Sequence, residues 1–249
     1  MKYSINFDST FIPIDLRAKK IKNAGFNSTF LYWGADKSNK EYEAEVIRNA
    51  GLDIETVHSD FSEINSMWLT GKKGDEKRDF LIQTVNTAAA LKIHTVIVHL
   101  SSGNTPPEFC NIGVQRYSEI LECAEQKNVN IAFENLRLTS YLDKILKKVN
   151  SQNAKFCFDA GHENIYNGGQ GVLESHADKL VAFHFHDNFA KVDDHILPGD
   201  GSIDWKKMFL RIAPYLNKIP FTVEAYAAPN YSETDFYEKA MQSIKKIVL

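Results

Sequence analysis

The stretch KFCFDAGHEN, residues 155–164, decides how this chain is read. Two phenylalanines alternate with Cys157 and Asp159, so a strand here sends both rings to one face and the thiol and carboxylate to the other. The strand ends at Gly161, and His162 follows directly. An apolar strand that ends in a carboxylate and an imidazole is unusual for a core but typical of a metal site. We therefore ask whether other strands end in the same way.

Composition narrows the class of protein. The 249 residues are 43% hydrophobic and carry a formal net charge of −3, which argues against a broad nucleic-acid or anionic-membrane surface. Cys110, Cys123 and Cys157 are odd in number and form no CxxC pair, which is typical of reduced thiols. The N-terminus lacks the apolar run of a signal peptide, and no stretch is long enough for a membrane span. We expect a cytoplasmic protein without nucleic-acid or membrane partners.

Short apolar strands alternate with longer amphipathic segments along the chain. Besides the strand in the quoted stretch, the predicted strands are Tyr3–Phe7, Ser28–Trp33, Asp53–His58, His94–His99, Asn130–Asn135, Val181–His186 and Phe221–Ala225. The predicted helices are Ile14–Ala24, Lys40–Ala50, Glu76–Leu91, Gly113–Lys127, Tyr141–Val149, Val172–Leu180, Ile203–Tyr215 and Glu233–Val248.

Eight strand–helix units without a linker between them predict a single TIM-barrel domain, a (β/α)8 fold over residues 1–249. The alternative is an open doubly wound sheet. It has less support, because no GxGxxG motif follows the first strand.

Six consecutive strands end in an ionisable side chain on the face opposite the bulky apolar residues. In order these side chains are His58, His99, Glu134, Asp159, His184 with His186, and Glu224. In TIM barrels, inward groups at the carboxyl ends of the strands carry the chemistry. Any one of them alone has an ordinary explanation as a loop residue or ion pair, but the repetition favours a shared site.

A cation explains how three carboxylates are buried together. Without one, crowding Glu134, Asp159 and Glu224 in a medium of low dielectric is strongly unfavourable. Two glutamates, an aspartate and a histidine make a mixed oxygen and nitrogen site, which suits Mn²⁺, Co²⁺, Mg²⁺ or Zn²⁺. We therefore predict one divalent metal ion as cofactor.

The loop after the seventh strand adds further candidates. Asp193 and His195 are two residues apart, a spacing that allows both to reach one ion. The segment PGDGSIDW predicts a turn and a helix capped by Ser202, with Asp204 in its first turn. At the ends of the first two strands, Phe7, Tyr32 and Trp33 either form an apolar pocket wall or belong to the core; these two readings stay open.

Taken together, the motifs resemble the xylose-isomerase-like TIM barrels, a superfamily of sugar and sugar-phosphate isomerases and epimerases that also includes endonuclease IV. The resemblance covers nearly the whole chain and rests on the order of short motifs: His58, His99, FEN at 133–135, FDAGH at 158–162, HFHD at 184–187, DDH at 193–195 and VEAY at 223–226.

The resemblance implies roles for individual residues. The metal ligands would be Glu134, Asp159, His184 and Glu224, and the two glutamates would also be the catalytic acid and base. His162 would bind substrate oxygens near the metal. The other candidates for substrate contact are His58, His99, Trp33, Asp193 and His195.

The leading hypothesis is a divalent-metal-dependent isomerase or epimerase of a sugar, a polyol-derived ketone or a sugar phosphate, acting through a metal-stabilised cis-enediolate. The first alternative is a zinc-dependent phosphodiester hydrolase of the endonuclease IV type with two or three zinc ions. Against it, NLRLTS after Glu134 lacks the Gly-rich continuation expected there, and the net charge is unsuited to gripping phosphates. The second alternative is a non-catalytic barrel that binds a sugar or a metal.

The partner is expected to be a small carbohydrate, and the sequence is compatible with a homo-oligomer. Residues 225–232 contain no Lys or Arg, and Arg137 is the only arginine close to a predicted strand end. Because barrels often bind phosphate at the last strand–helix loops, this favours an unphosphorylated substrate.

Overall fold

Eight parallel strands form the centre of the molecule. The structure is a computed structural model that describes residues 1–34, 39–168, 171–227 and 231–248. The strands are β1 Tyr3–Asn6, β2 Ser28–Trp33, β3 Asp53–Ser59, β4 Thr95–Val98, β5 Asn130–Glu134, β6 Ala154–Asp159, β7 Leu180–His184 and β8 Phe221–Val223. Each strand pairs with the next in sequence, and β1 also pairs with β8.

The ring of strands is closed between β7 and β8. A parallel bridge joins Phe185 to Val223 just beyond the end of β7. The Phe185 N–H donates to the Thr222 carbonyl (2.8 Å), and the Glu224 N–H donates to the Phe185 carbonyl (3.0 Å). The predicted (β/α)8 barrel is therefore confirmed, and the open doubly wound sheet is wrong.

Helices surround the barrel at nearly the predicted positions. Their bounds are α1 Ile14–Ala24, α2 Lys40–Asn49, α3 Lys72–Ala90, α4 Asn111–Lys127, α5 Thr139–Lys148, α6 Ala160–His162, α7 Val172–Ser175, α8 Trp205–Ile212 and α9 Phe236–Val248. Helix α1 ends where predicted because Gly25 takes the left-handed conformation (φ 100°), in which its backbone N–H donates to the Ile21 and Lys22 carbonyls. None of the described helices combines the length and apolarity needed to cross a membrane.

The region after β6 differs most from expectation. The predicted helix Val172–Leu180 is shorter, because a 3-10 turn and then β7 follow Ser175. In addition, α6 begins directly at the end of β6 and continues as a π-helical turn over Glu163–Asn167. Such π-helical turns are rare and occur frequently at functional sites.

The predicted alternation of inward and outward side chains is present along the strands. Ile97, Ala132, Cys157 and Ala182 form a small buried cluster of their own inside the barrel. The neighbouring phenylalanines of β5, β6 and β7 belong instead to the large core between strands and helices. The inward residues beneath the functional groups are thus small or of moderate size, which leaves room for polar groups above them.

The loop between β7 and α8 is held by Asp187 rather than by the predicted cap. Ser202 does not cap α8: its hydroxyl donates to the Asn188 carbonyl (3.0 Å), and Asp204 is the N-cap residue, accepting from the Lys207 N–H. Asp187 is fully buried and accepts a hydrogen bond from the Trp205 indole (2.6 Å). It also accepts from three backbone N–H groups of the loop, so its carboxylate fixes the path of this segment.

Candidate metal centre and active site

The four predicted metal ligands converge at the carboxyl ends of the strands. Glu134 ends β5, Asp159 ends β6, His184 ends β7 and Glu224 follows β8. One ligand atom from each lies within 4.8 Å of those of the other three, and all four residues are buried. Because each side chain is attached to a hydrogen-bonded strand end, the cluster is held by the barrel itself.

Orphaned polar atoms indicate that this cluster fits a cation. His184 Nδ1 lies 2.7 Å from Glu134 Oε1 and 3.2 Å from Glu224 Oε2. Asp159 Oδ1 accepts from the His162 N–H (2.6 Å), but Asp159 Oδ2 is buried and has no partner among the described residues. A buried carboxylate oxygen without a donor is costly unless a cation satisfies it. Three carboxylates and an imidazole are a donor set for a divalent ion of the first transition row or for Mg²⁺.

Buried charges shift the titration of this cluster. Burial opposes ionisation of Glu134, but the neighbouring imidazoles, that of His184 first, outweigh it and hold its pKa well below the usual value. In the same way, contact with His184 outweighs burial and lowers the pKa of Glu224 to about 2. The surrounding anions raise the pKa of His184 well above its usual value despite burial. Both glutamates are therefore ionised at neutral pH and available as ligands.

His58 and His99 approach the other oxygen of Glu134. His99 Nε2 lies 2.6 Å and His58 Nε2 lies 3.5 Å from Glu134 Oε2, so these three residues form an extension of the first cluster that could also bind a metal. Burial lowers the pKa of His99, which keeps its imidazole neutral at physiological pH. Glu134 thus stands between two sets of imidazoles.

A second cluster lies beside the first and comprises His162, His186, Asp193 and His195. Asp193 is at its centre: its carboxylate oxygens lie 3.2 Å from His162 Nε2, 3.5 Å from His186 Nε2 and 3.6 Å from His195 Nε2. The His186 and His195 rings are stacked with centroids 3.9 Å apart. The spacing of Asp193 and His195 therefore does bring both side chains to one point.

The sequence placed His186 with His184 on the inward face at the end of β7 but assigned it no metal or substrate role. Its position depends on Gly161, where a Cβ atom would lie 2.0 Å from the His186 ring. The ring thus occupies the space that any side chain at position 161 would need. The spacing of two residues in HFHD, which puts both histidines on one face, was the signal for a role of His186 in the site.

A cavity of about 110 Å³ opens onto both clusters. Its lining residues are Asn6, Phe30, Tyr32, His58, Phe61, His99, Glu134, His162, Asp193, His195, Glu224 and Tyr226. Of the predicted substrate contacts, only Trp33 is not among these lining residues. A wider groove of about 640 Å³ lies on the outer surface between α8 and α9 and contains no residue of either cluster.

The position of Trp33 follows from strand alternation. Tyr32 points into the cavity, so the next side chain turns outward, and Trp33 packs against the core beneath the helices. Phe7 is likewise a fully buried core residue. Trp33 is therefore not among the residues of the cavity wall, and its contact with substrate stays a prediction. The aromatic wall is formed by Tyr32, with Phe61 and Tyr226, to which the sequence assigned no role.

Comparison with known proteins agrees with this architecture. The sequence profile of the family "Xylose isomerase-like TIM barrel" matches residues 18–247. An uncharacterized protein, y4fM of Sinorhizobium fredii, is 27% identical over 265 residues, covering 88% of this chain and 84% of its own length.

Solved structures with the same fold include two sugar epimerases. A structure titled L-ribulose 3-epimerase superposes with a TM-score of 0.81 at 14% identity, covering 100% of this chain and 95% of the other. D-psicose 3-epimerase from Clostridium cellulolyticum, solved with D-tagatose, superposes with a TM-score of 0.78 at 15% identity, covering 100% and 99%. At such identities the likeness shows the fold. The family profile, which spans most of the chain, shows that this protein belongs to the xylose isomerase-like TIM barrel family.

Proposed function

We propose that this chain is a divalent-metal-dependent isomerase or epimerase acting on a sugar, a polyol-derived ketone or a sugar phosphate. The observation that carries the proposal is that Glu134 and Glu224 both approach His184 Nδ1 and both line the cavity, with Asp159 completing the group. Two ionised carboxylates flanking one reaction centre are what a two-sided proton transfer needs. The epimerases that share the fold support the same reaction class.

The donor set suggests what each residue does. Glu134, Asp159, His184 and Glu224 would hold the ion, which when bound would polarise a substrate carbonyl and acidify the adjacent C–H bond. Glu134 would remove that proton, and Glu224, after taking a proton from water, would deliver it from the other side, while the proton held by Glu134 would return to water. Delivery to the opposite face of the same carbon gives epimerisation, and delivery to the neighbouring carbon gives isomerisation. His162, His58 and His99 would hydrogen-bond substrate oxygens from the cavity wall.

Solvent exchange tests the role of Glu134. In deuterated water, Glu134→Gln should abolish incorporation of solvent deuterium into ketose substrates, because the amide cannot accept the proton. The matched control is Glu122→Gln, which changes an exposed glutamate on α4 and should leave exchange unchanged. Exchange that persists at the wild-type rate in a folded Glu134→Gln protein would refute the proposed function.

The histidines and carboxylates of the second cluster favour one alternative function, that of a zinc-dependent phosphodiester hydrolase. A phosphodiester hydrolase with two or three zinc ions would use His58 and His99 with Glu134, and His162 with Asp193 and His195. Metal analysis separates the two functions: one exchangeable ion per chain supports the isomerase or epimerase, whereas about three zinc ions together with nicking of abasic DNA support the hydrolase. A chain that binds sugar without any exchange would be the non-catalytic barrel.

A further inference from the structure

An arginine at the mouth of the barrel has no counterion. Among the described residues, Arg137 makes no hydrogen bond or ion pair, and its Nε is buried without a partner. Every other arginine in the described chain has an acceptor: Arg17, Arg78, Arg116 and Arg211 bind carboxylates, and Arg48 binds the Leu91 carbonyl. A buried guanidinium N–H that lacks an acceptor is unfavourable. A ligand that supplies the acceptor would remove this cost.

The position of Arg137 is fixed by its neighbours. Asn135 joins the ends of β5 and β6 through two hydrogen bonds of 2.8 Å to the backbone of Asp159. The Leu136 carbonyl accepts from the Asn167 side chain at the end of the π-helical turn. The chain that leaves β5 is therefore tied to the segment after β6, on the same face of the barrel as the metal centre.

Tyr166 supplies a platform for the guanidinium. The Arg137 Cζ lies 4.4 Å from the centroid of the Tyr166 ring. This cation–π contact restrains the planar guanidinium group of Arg137. The Tyr166 ring in turn lies 5.9 Å from the His162 ring, which lines the cavity. Through Tyr166 of the π-helical turn, Arg137 is thus connected to His162 in the cavity wall.

We propose that Arg137, held against Tyr166, binds an anionic group at the end of the substrate remote from the reacting carbon; this rests on the proposed isomerase or epimerase function. A guanidinium matches the paired oxygens of a phosphate or a carboxylate through two parallel N–H donors. A neutral hydroxyl would leave the charge of Arg137 uncompensated. The substrate is then a sugar phosphate or a sugar acid, and only the phosphate form would go against the expectation of an unphosphorylated substrate drawn from residues 225–232.

Calorimetric binding to manganese-loaded protein tests this directly. The probes are a ketopentose and a ketohexose, each as the neutral sugar, as the terminal phosphate ester and as the terminal carboxylate. Wild type should bind one anionic form at least about tenfold more tightly than the neutral sugar, as expected for a charge-assisted hydrogen bond pair. Comparison of the phosphate and carboxylate forms identifies the source of the anion.

Variants then locate the effect. Arg137→Gln should abolish the preference for the anion while leaving neutral-sugar binding within about twofold. Arg48→Gln removes the same charge from an exposed site on α2 and should retain the preference. Tyr166→Leu should weaken anion binding by about threefold to tenfold, whereas Tyr166→Phe should not.

The proposal is overturned if wild type shows no preference for an anion, or if the preference survives Arg137→Gln. Deuterium exchange on the same probes separates this outcome from failure of the proposed function. Exchange of neutral sugars alone would leave the isomerase or epimerase standing and remove the anion site. Binding of anions through Arg137 without any exchange would leave the anion site standing and remove the proposed isomerase or epimerase function.

Discussion

The two histidine and carboxylate clusters differ in what holds them in place. The first, Glu134 with its three partners, is carried by strand ends and by the residue after β8, so the hydrogen bonds of the barrel fix its geometry. The second depends on the loop after β7, which carries Asp193 and His195 and is tied down by Asp187. A rigid cluster beside a loop-borne one suggests a division of labour, with the first holding the metal and the second contacting substrate.

The largest difference between the clusters should appear in metal affinity, when one aspartate in each is changed to asparagine. Asp159→Asn removes a carboxylate from the first cluster and should lower metal affinity by more than about 100-fold, beyond the effect expected for residues that merely support ligands. Deuterium exchange should be lost with the metal. Asp193→Asn changes the second cluster in the same way and should retain the metal while kcat/KM falls about tenfold, as for loss of a charged hydrogen bond.

Metal content by mass spectrometry and exchange rates measure both variants. Asp194→Asn is the control for the loop, because Asp194 is an exposed neighbour of Asp193 outside the cluster. If Asp193→Asn loses the metal as completely as Asp159→Asn, the proposed division between the clusters is wrong.

A substitution at Gly161 should act mainly through His186 of the second cluster. In Gly161→Ala the new methyl would overlap the His186 ring, and the overpacking should reduce the free energy of unfolding by about 1–3 kcal/mol. Thermal or denaturant unfolding measures the loss. The double variant Gly161→Ala with His186→Ala removes the overlap, so the two effects should be strongly non-additive. Simple additivity would mean that the close approach of ring and backbone is not what position 161 requires.

A smaller difference between the two clusters is expected in the number of protons released when metal binds. In the second cluster, nearby carboxylates outweigh burial and raise the pKa of His162 to about 10 and that of His195 to about 9. In the first cluster, the pKa of His184 is also raised. These imidazoles are protonated at pH 7 without metal, and a nitrogen must lose its proton to bind an ion. One ion in the first cluster should release about one proton from His184, and affinity should rise with pH.

Calorimetry in buffers of different ionisation enthalpy counts these protons. Release of about one proton per chain is expected if only the first cluster binds metal. Two or more would show that His162 and His195 also become ligands, which favours the multinuclear hydrolase.

The count of eight strand–helix units predicted the barrel, strand alternation predicted that ionisable side chains at the strand ends share one face, and the family resemblance selected Glu134, Asp159, His184 and Glu224 among them. Inward and outward positions repeat every two residues, and parallel strands end at one edge, so local sequence determines both. The same rule applied at Tyr32 would have excluded Trp33 from the cavity. Alternation is therefore informative wherever a strand continues to the site.

Strand alternation does not predict the structure of loops and irregular helices. Ser202 and Asp204 are both good capping residues, and only the hydrogen bond of Ser202 to Asn188 decides between them. The π-helical turn that brings Tyr166 to Arg137 has no periodic signal in a short segment. Residues 228–230 of the last strand–helix loop, where a phosphate site was considered, lie outside the described residues.

The most direct test is anomalous scattering from crystals of the metal-loaded protein, recorded at the absorption edge of the added ion. The account predicts one strong peak enclosed by Glu134, Asp159, His184 and Glu224. A peak elsewhere with none between these four residues would contradict it.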